Sequence, residues 1–507
     1  MPPMLALYLW PAISAVILRN MRLPLAILVV IFAGYMFLPV KFAIDFPMIP
    51  PMDKHAIPVM TIMAGVLLFA TLRESAPNQP GLLPKSLLAR ILIGLVVLGA
   101  IGTAITNGDR IVTPQEVKRP LSLYDGVSMA IGYVILILPV LIGRKYFARA
   151  ETHRLILIVF CIAACIYALP ALFEVRMSPR LNRWIYGFTP HDWRMHVRGG
   201  GWRPMVFLEH GLRVSLFFAL GLIAAVGLFR MGWKVGFTMV ASAGLAVTLV
   251  LTKSLGAVII AALIVPLVFF LNTRLLILAA AVIGTIVLTY PILRGGGYVP
   301  IDKALELAAR VDEKRAGSLR VRVENEEIML ARAAERPVFG WGGFGRSRVR
   351  NEKGNDITTA DGYWVIMIGR VGWVHYIGEF GLMTAPMVLL FLQRRRLGIT
   401  RDTAILSIIV AANMIDLIPN SGHSPILFLI VGALWGRLER GPEDDDGEGG
   451  LDPPEQDGRP QGEDASRYAR DFGKKPVSRQ RPLKTKVERS TIHPRYRRDT
   501  GQNHSAS

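Results

Sequence analysis

Two stretches of this chain are dense in arginine. The first carries Arg176, Arg180, Arg183, Arg194, Arg198 and Arg203, accompanied by His191, His196 and His210. The second carries Arg310, Arg315, Arg320, Arg322, Arg332, Arg336, Arg346, Arg348 and Arg350, and it ends at Asp361. A guanidinium is planar, keeps its charge at any relevant pH, and offers paired N–H groups that match phosphate oxygens. Arginines gathered this way suit a phosphate or diphosphate group, and Lys253 adds a further cation. A carboxylate or imidazole beside them could take a proton from a hydroxyl nucleophile, which makes Asp361 and His210 rival bases. Plainer readings stand beside each. Asp361 sits where an aspartate commonly caps a following helix. Arg320 and Glu324 are spaced as an ordinary i,i+4 pair, and Lys253 is placed to snorkel outward.

Other chemistries fall away. Gly199-Gly200-Gly201 and the glycine-rich run 340–345 are not followed by Lys-Ser/Thr, so neither is a P-loop. There is no His-Glu-x-x-His, and no close carboxylate cluster suggests a metal. The two cysteines, Cys161 and Cys165, lie four apart in one apolar run, too few for a metal cage or a disulfide framework. No metal and no cofactor is expected.

Such residues must be held by surrounding elements, and those elements read as membrane helices. Of 507 residues, 52% are hydrophobic and 19% charged, against roughly 25% charged in soluble chains. Mean hydropathy is +0.40. Runs near 24–40, 57–72, 87–105, 127–143, 155–173, 206–229, 233–251, 255–271, 275–293, 364–392, 403–418 and 425–435 approach the length a hydrocarbon core demands. A further run, 4–18, is interrupted by Pro11; no small-residue cleavage site follows, so it reads as retained. The expectation is an all-α, polytopic integral membrane protein of about 12–13 transmembrane helices. The net charge of +20 is read as topology and anion binding, not as nucleic-acid binding. Arg19/Arg22, Arg73/Lys85/Arg90, Arg144/Lys145/Arg149/Arg154, Arg230/Lys234, Arg274 and Arg394/Arg395/Arg396/Arg401 fall in alternate short loops, which the positive-inside rule places in the cytoplasm. The long loops 174–205 and 294–361 then face outward. The chain divides into a helical bundle over 1–293, an Arg-rich loop over 294–361, closing helices over 362–436, and a tail over 437–507. That tail is acidic then basic and poor in apolar residues, as a disordered cytoplasmic segment is.

Within this frame Ser318-Leu319-Arg320-Val321-Arg322-Val323, Arg336-Pro337-Val338-Phe339-Gly340-Trp341-Gly342, Asp361-Gly362-Tyr363-Trp364 and Gly378-Glu379-Phe380-Gly381-Leu382 resemble the hallmark loop of the O-antigen ligase and O-antigen polymerase superfamily. The resemblance covers roughly 200–435. It implies transfer of a glycan from undecaprenyl pyrophosphate at the periplasmic face of a bacterial inner membrane, without metal or nucleotide. It implies that Arg320 holds the pyrophosphate. From the residues themselves, Arg198, Arg203, Lys253, Arg322 and Arg348 are expected as further cations, and Trp341 and Tyr363 as candidates to lie against sugar. The partners implied are the lipid-linked oligosaccharide, membrane lipids, and the chain-length regulator and flippase of the same pathway. Two positions depart from the ligases. Thr252-Lys253-Ser254-Leu255 stands where they carry Ser-Arg-Gly, and Asp361-Gly362 where they carry His-Asn. The departures point to a polymerase of exopolysaccharide or O-antigen repeat units; ligation to lipid A core and a transporter or flippase are the alternatives.

Among residues inside apolar runs, His375 and Glu379 are one turn apart and expected to pair, while Asp416 and His423 flank a turn at Pro419-Asn420-Ser421-Gly422. Trp202, Trp341, Tyr363 and Trp364 read as interface aromatics or as sugar platforms.

Overall fold

The computed structural model describes residues 2–46, 49–69, 81–198, 200–311, 313–358 and 361–441. The expected disordered tail lies outside the described residues apart from its first few positions, through which the last helix continues. The chain is mostly helical. In order the helices are α1 (Pro3–Asn20), α2 (Leu23–Phe37), α3 (Ala56–Phe69), α4 (Leu87–Thr106), α5 (Leu123–Tyr146), α6 (Ala150–Met177), the short α7 (Leu181–Tyr186), α8 (Gly211–Arg230), α9 (Val235–Leu251), α10 (Leu255–Phe270), α11 (Thr273–Gly295), α12 (Ile301–Val311), α13 (Glu313–Ala334), α14 (Tyr363–Leu392), the single turn α15 (Arg394–Leu397), α16 (Arg401–Asp416) and α17 (Pro425–Arg440). Among the described residues α4, α5, α6, α8, α11 and α14 are long and apolar enough to cross a membrane, which makes this a multi-pass membrane protein. Three two-stranded hairpins sit in the connections: β1–β2 (Ala43–Phe46 with Ile49–Asp53), β3–β4 (Ile111–Val112 with Val117–Lys118) and β5–β6 (Val197–Arg198 with Gly201–Trp202). The sequence reading did not anticipate them, because strands of two to five residues are too short to show a period.

α8, α16 and α17 form the centre, and nearly every residue of α16 is buried. A helix apolar on all sides belongs where no face meets water. α5 and α17 meet backbone to backbone: a Cβ on Gly143 would strike the Leu429 carbonyl, and one on Gly432 would strike that of Val140. Both positions need glycine for that approach. Side-chain caps set several starts. Ser122 and Asp125 make a reciprocal capping box at α5, and the Thr400 side chain accepts from the Thr403 amide at α16.

Two helices depart from the expected runs. The run 206–229 was read as helical from its first residue, yet α8 begins only at Gly211. The amides of Met205 and Val206 donate to the buried Glu174 carboxylate at 2.9 and 2.7 Å, and that of Phe207 to the Tyr167 hydroxyl at 3.2 Å. Claimed amides alone would suit a helix start, whose first amides lack internal partners, but this clamp holds Val206 at φ +50°, outside helical geometry, so the helix begins only beyond it. The second departure is a break in α14 at Gly372, which has φ +74°. The segment Pro337–Gly342 fills the gap. Trp341 and Gly342 donate to the carbonyls of Gly369 and Arg370 at 2.9 and 2.8 Å, and Trp373 and Val374 donate back to Pro337 and Val338 at 2.8 and 3.3 Å. Part of the Arg-rich loop thus completes the hydrogen bonding of an apolar helix.

Candidate functional site

A cavity of about 460 Å³ opens where the start of α8, the α16–α17 turn and α13 converge. Its floor is mostly apolar, with Tyr35, Phe160, Phe217, Ile409 and Ile430, and also carries the buried Asn413 and Asp416. Its rim is ionic, with Arg203, Glu209, His210, Arg213, Arg322 and Asp361. Four residues selected from sequence alone, Arg203, His210, Arg322 and Asp361, therefore meet although they are spread over 158 positions of chain (361 − 203).

Each is held by identifiable contacts. The segment 203–209 is pinned by Glu174 and Tyr167 from α6 and by Lys54, whose buried ammonium donates to the Phe207 carbonyl at 2.9 Å. Burial pushes that ammonium down to about 7. The same clamp forces Val206 to φ +50°, a costly conformation for a β-branched residue. Arg203 donates to the Lys253 carbonyl at 3.1 Å. His210 N-caps α8, its Nδ1 accepting from the Leu212 amide at 3.1 Å, so it precedes the helix; it was expected one turn inside. Arg213 bonds the carbonyls of His423 and Ser421 at 2.9 and 3.4 Å and pairs with Glu209 at 2.8 Å. Burial alone would raise the Glu209 carboxyl. His55, 3.7 Å away, and Arg213 outweigh that and hold it well below the usual carboxylate range. Arg322 pairs with Asp361 at 3.3 Å and donates to the Pro419 carbonyl at 3.4 Å. Burial raises the Asp361 carboxyl above its ordinary value despite Arg322. A raised carboxyl is the better proton acceptor.

The other expected site residues lie elsewhere. Arg320 is exposed on α13 and lines neither this cavity nor the larger one between α3, α5 and α14. On the same helix Arg322, two residues on, is the arginine that lines the first cavity. Arg198 belongs to β5, and its side chain is outside the described residues. Lys253 sits in the α9–α10 connection with its ammonium against Gly201 of β6, off the cavity lining. Trp341 is buried, with the guanidiniums of Arg332 and Arg336 at 3.4 and 4.1 Å from its ring centre and its Nε1 donating to the Arg332 carbonyl at 2.7 Å. Its ring is packed into the loop and not open to a sugar. Trp364 is buried too, edge-on to Tyr290 at 5.2 Å.

Tyr363 and Arg348 line a second cavity of about 780 Å³ between α3, α5 and α14. The two cavities share Ser421 and His423 of the α16–α17 turn. His55 lines the second and faces Glu209 of the first. Behind it Tyr363 donates to Glu379 at 2.7 Å, and Glu379 faces His375 at 3.1 Å, the pairing expected from their spacing. Asp416 accepts from Asn420 at 2.8 Å across the turn.

Sequence reasoning gave no role to His55, Glu209, Arg213 or Arg370. The Glu209–Arg213 pair was readable from its i,i+4 spacing just before an apolar run. Arg370 stands inside the run 364–392, where an ionisable residue is a functional candidate by default. Among the described residues no group of histidine, cysteine and carboxylate side chains is disposed to hold a metal. No family model, no curated relative and no solved structure matches this chain.

Proposed function

We propose that the protein polymerises undecaprenyl-pyrophosphate-linked oligosaccharide repeat units into a surface polysaccharide, at the periplasmic face of a bacterial inner membrane. In this reading the thirteen apolar helices α1–α6, α8–α11, α14, α16 and α17 all span, α12 and α13 belong to the periplasmic loop, and the tail is cytoplasmic. The alternation of basic short loops supports that orientation.

The observation that carries the reading is the meeting of Arg203, Arg322, His210 and Asp361 at one cavity with an ionic rim and a mostly apolar floor. The lipid diphosphate of the donor lies at the rim, against Arg203, Arg213 and Arg322. The acceptor hydroxyl oxygen bonds to the donor's anomeric carbon as the bond from that carbon to the phosphate oxygen breaks. The electron pair leaves with the diphosphate, whose charge the guanidiniums stabilise in place. The hydroxyl proton passes to Asp361, or to His210 once its Nδ1 releases the Leu212 amide. Arg322 turning from Asp361 to the diphosphate couples donor binding to release of the carboxylate.

The test is glycan transfer by purified protein carrying Asp361→Asn or His210→Ala, together with the polysaccharide phenotype of a deletion strain. Polymerase function requires that strain to accumulate single repeat units. Long chains retained on the carrier lipid would instead assign ligation to lipid A core, and undiminished transfer by both variants would remove both bases from the role.

A further inference from the structure

Arg370 lies seven residues into α14, roughly 10 Å along its axis at 1.5 Å per residue. Its backbone carbonyl receives the Gly342 amide. Its guanidinium makes no ion pair and no hydrogen bond with any described residue. Every cation named on the first cavity, and Arg348 on the second, has a carboxylate or a carbonyl as partner. An uncompensated guanidinium inside an apolar helix is costly and is retained where it meets an anion or lines a cavity. Arg370 lines the larger cavity, against Gly343.

The rest of that cavity is amphipathic. Asp53, His55, Arg348 and His423 stand among its polar lining. Along α5 the lining runs from Ser128 through Gly132 to Leu136 and Pro139, about 16 Å of helix that becomes wholly apolar. A soluble sugar phosphate would leave that apolar slot unused, and a neutral lipid would leave Arg370 unmatched. Both parts are used by an anionic head carried on a hydrocarbon chain.

We propose that the larger cavity binds a second diphosphate-linked isoprenoid saccharide, the acceptor, with Arg370 on its phosphate and its chain along α5. The proposal rests on the polymerase reading, which needs two lipid-linked substrates. The Ser421–His423 turn common to both cavities brings the two heads to opposite sides of one short segment beside Asp361.

The experiment titrates undecaprenyl diphosphate into the full-length protein in zwitterionic nanodiscs and counts bound molecules by native mass spectrometry. Two are expected per wild-type chain. Arg370→Ala should weaken one of them by about tenfold or more, the loss of a charge-assisted contact, and Arg203→Ala or Arg322→Ala should weaken the other. Arg370→Lys, which keeps the charge, should fall between. Gly132→Phe, which fills the slot without touching Arg370 and whose Cβ has ordinary clearance from Pro50, should remove the same molecule as Arg370→Ala. One molecule per wild-type chain, lost with Arg203 or Arg322 and indifferent to Arg370 and Gly132, overturns this inference and leaves the polymerase reading standing. No binding at all overturns both. Displacement of the Arg370-dependent molecule by an equal concentration of phosphatidylglycerol also overturns it, because the site would then be a general anionic-lipid groove.

Discussion

The arginines of the strip 336–350 and those around the first cavity come from similar sequence and do different work. In the strip, Arg336 and Arg346 both reach Asp109, Arg348 pairs with Asp356, and Arg350 with Glu116. Arg346 is fully buried and also bonds the carbonyls of Trp341, Asp109 and Arg119. Arg336, Arg346 and Arg350 staple the loop to the 109–119 connection, and Arg348 ties the loop to itself. At the cavity the partners include backbone carbonyls of Lys253, Pro419, Ser421 and His423, which orient a guanidinium without cancelling its charge. Density of arginine in sequence does not mark a site; both groups find carboxylates and carbonyls, and what separates scaffold from candidate contact is whether the guanidinium also lines the first cavity.

That contrast can be broken by substitution. The largest effect should come from the base. If it is Asp361, Asp361→Asn lowers the rate of glycan transfer by about 10²–10⁴ while His210→Ala leaves most of it, and the reverse result reassigns the role. Next, Arg203→Ala and Arg322→Ala should each cost about 10²–10³ in transfer rate with little change in melting temperature. Equal losses of rate and stability would show them to be staples like the strip. Arg346→Ala should do the opposite, destabilising by about 2–4 kcal/mol through carbonyls left unsatisfied and Asp109 left with one partner fewer, with transfer by the folded fraction intact; thermal unfolding in detergent measures it.

Two smaller effects follow from protonation. The Arg322 charge opposes the rise of the Asp361 carboxyl, so Arg322→Gln should move the acid limb of the transfer profile to higher pH. Glu326, on α13 and 3.9 Å from Arg294, is pushed up to about 7 by burial against that partner's pull. A carboxyl raised on folding adds stability in full below its unfolded value and loses it as pH rises through about 7. Protection of the α13 amides, after correction for the base catalysis of intrinsic exchange, should therefore be greater at pH 5 than at pH 8, and Glu326→Gln should remove that excess.

Much of this was legible beforehand. The apolar runs matched the helices to within a turn at most ends, because apolar length is a property of composition. Arg203, His210 and Asp361 stood out because polar residues at the borders of such runs are few, and Arg322 through the Ser318–Val323 stretch of the Arg-rich loop. Arg370 escaped notice among Ile368, Val371 and Trp373, where periodicity hides a single cation. Trp341 was read as a platform because a sequence does not reveal which face of a ring is covered. The late start of α8 was hidden because its cause, Glu174, is 31 residues upstream of Met205.

The interrupted α14 also bears on biogenesis. A segment with unpaired amides and carbonyls at its centre is poorly suited to enter hydrocarbon alone. The residues that satisfy those groups, Pro337–Gly342, are translated before it, so they must already be waiting when 363–392 leaves the ribosome. Partitioning of this span into the bilayer and folding of the preceding soluble stretch then become one cooperative event. A reporter fused after residue 392 should read different topologies with and without the 337–342 segment.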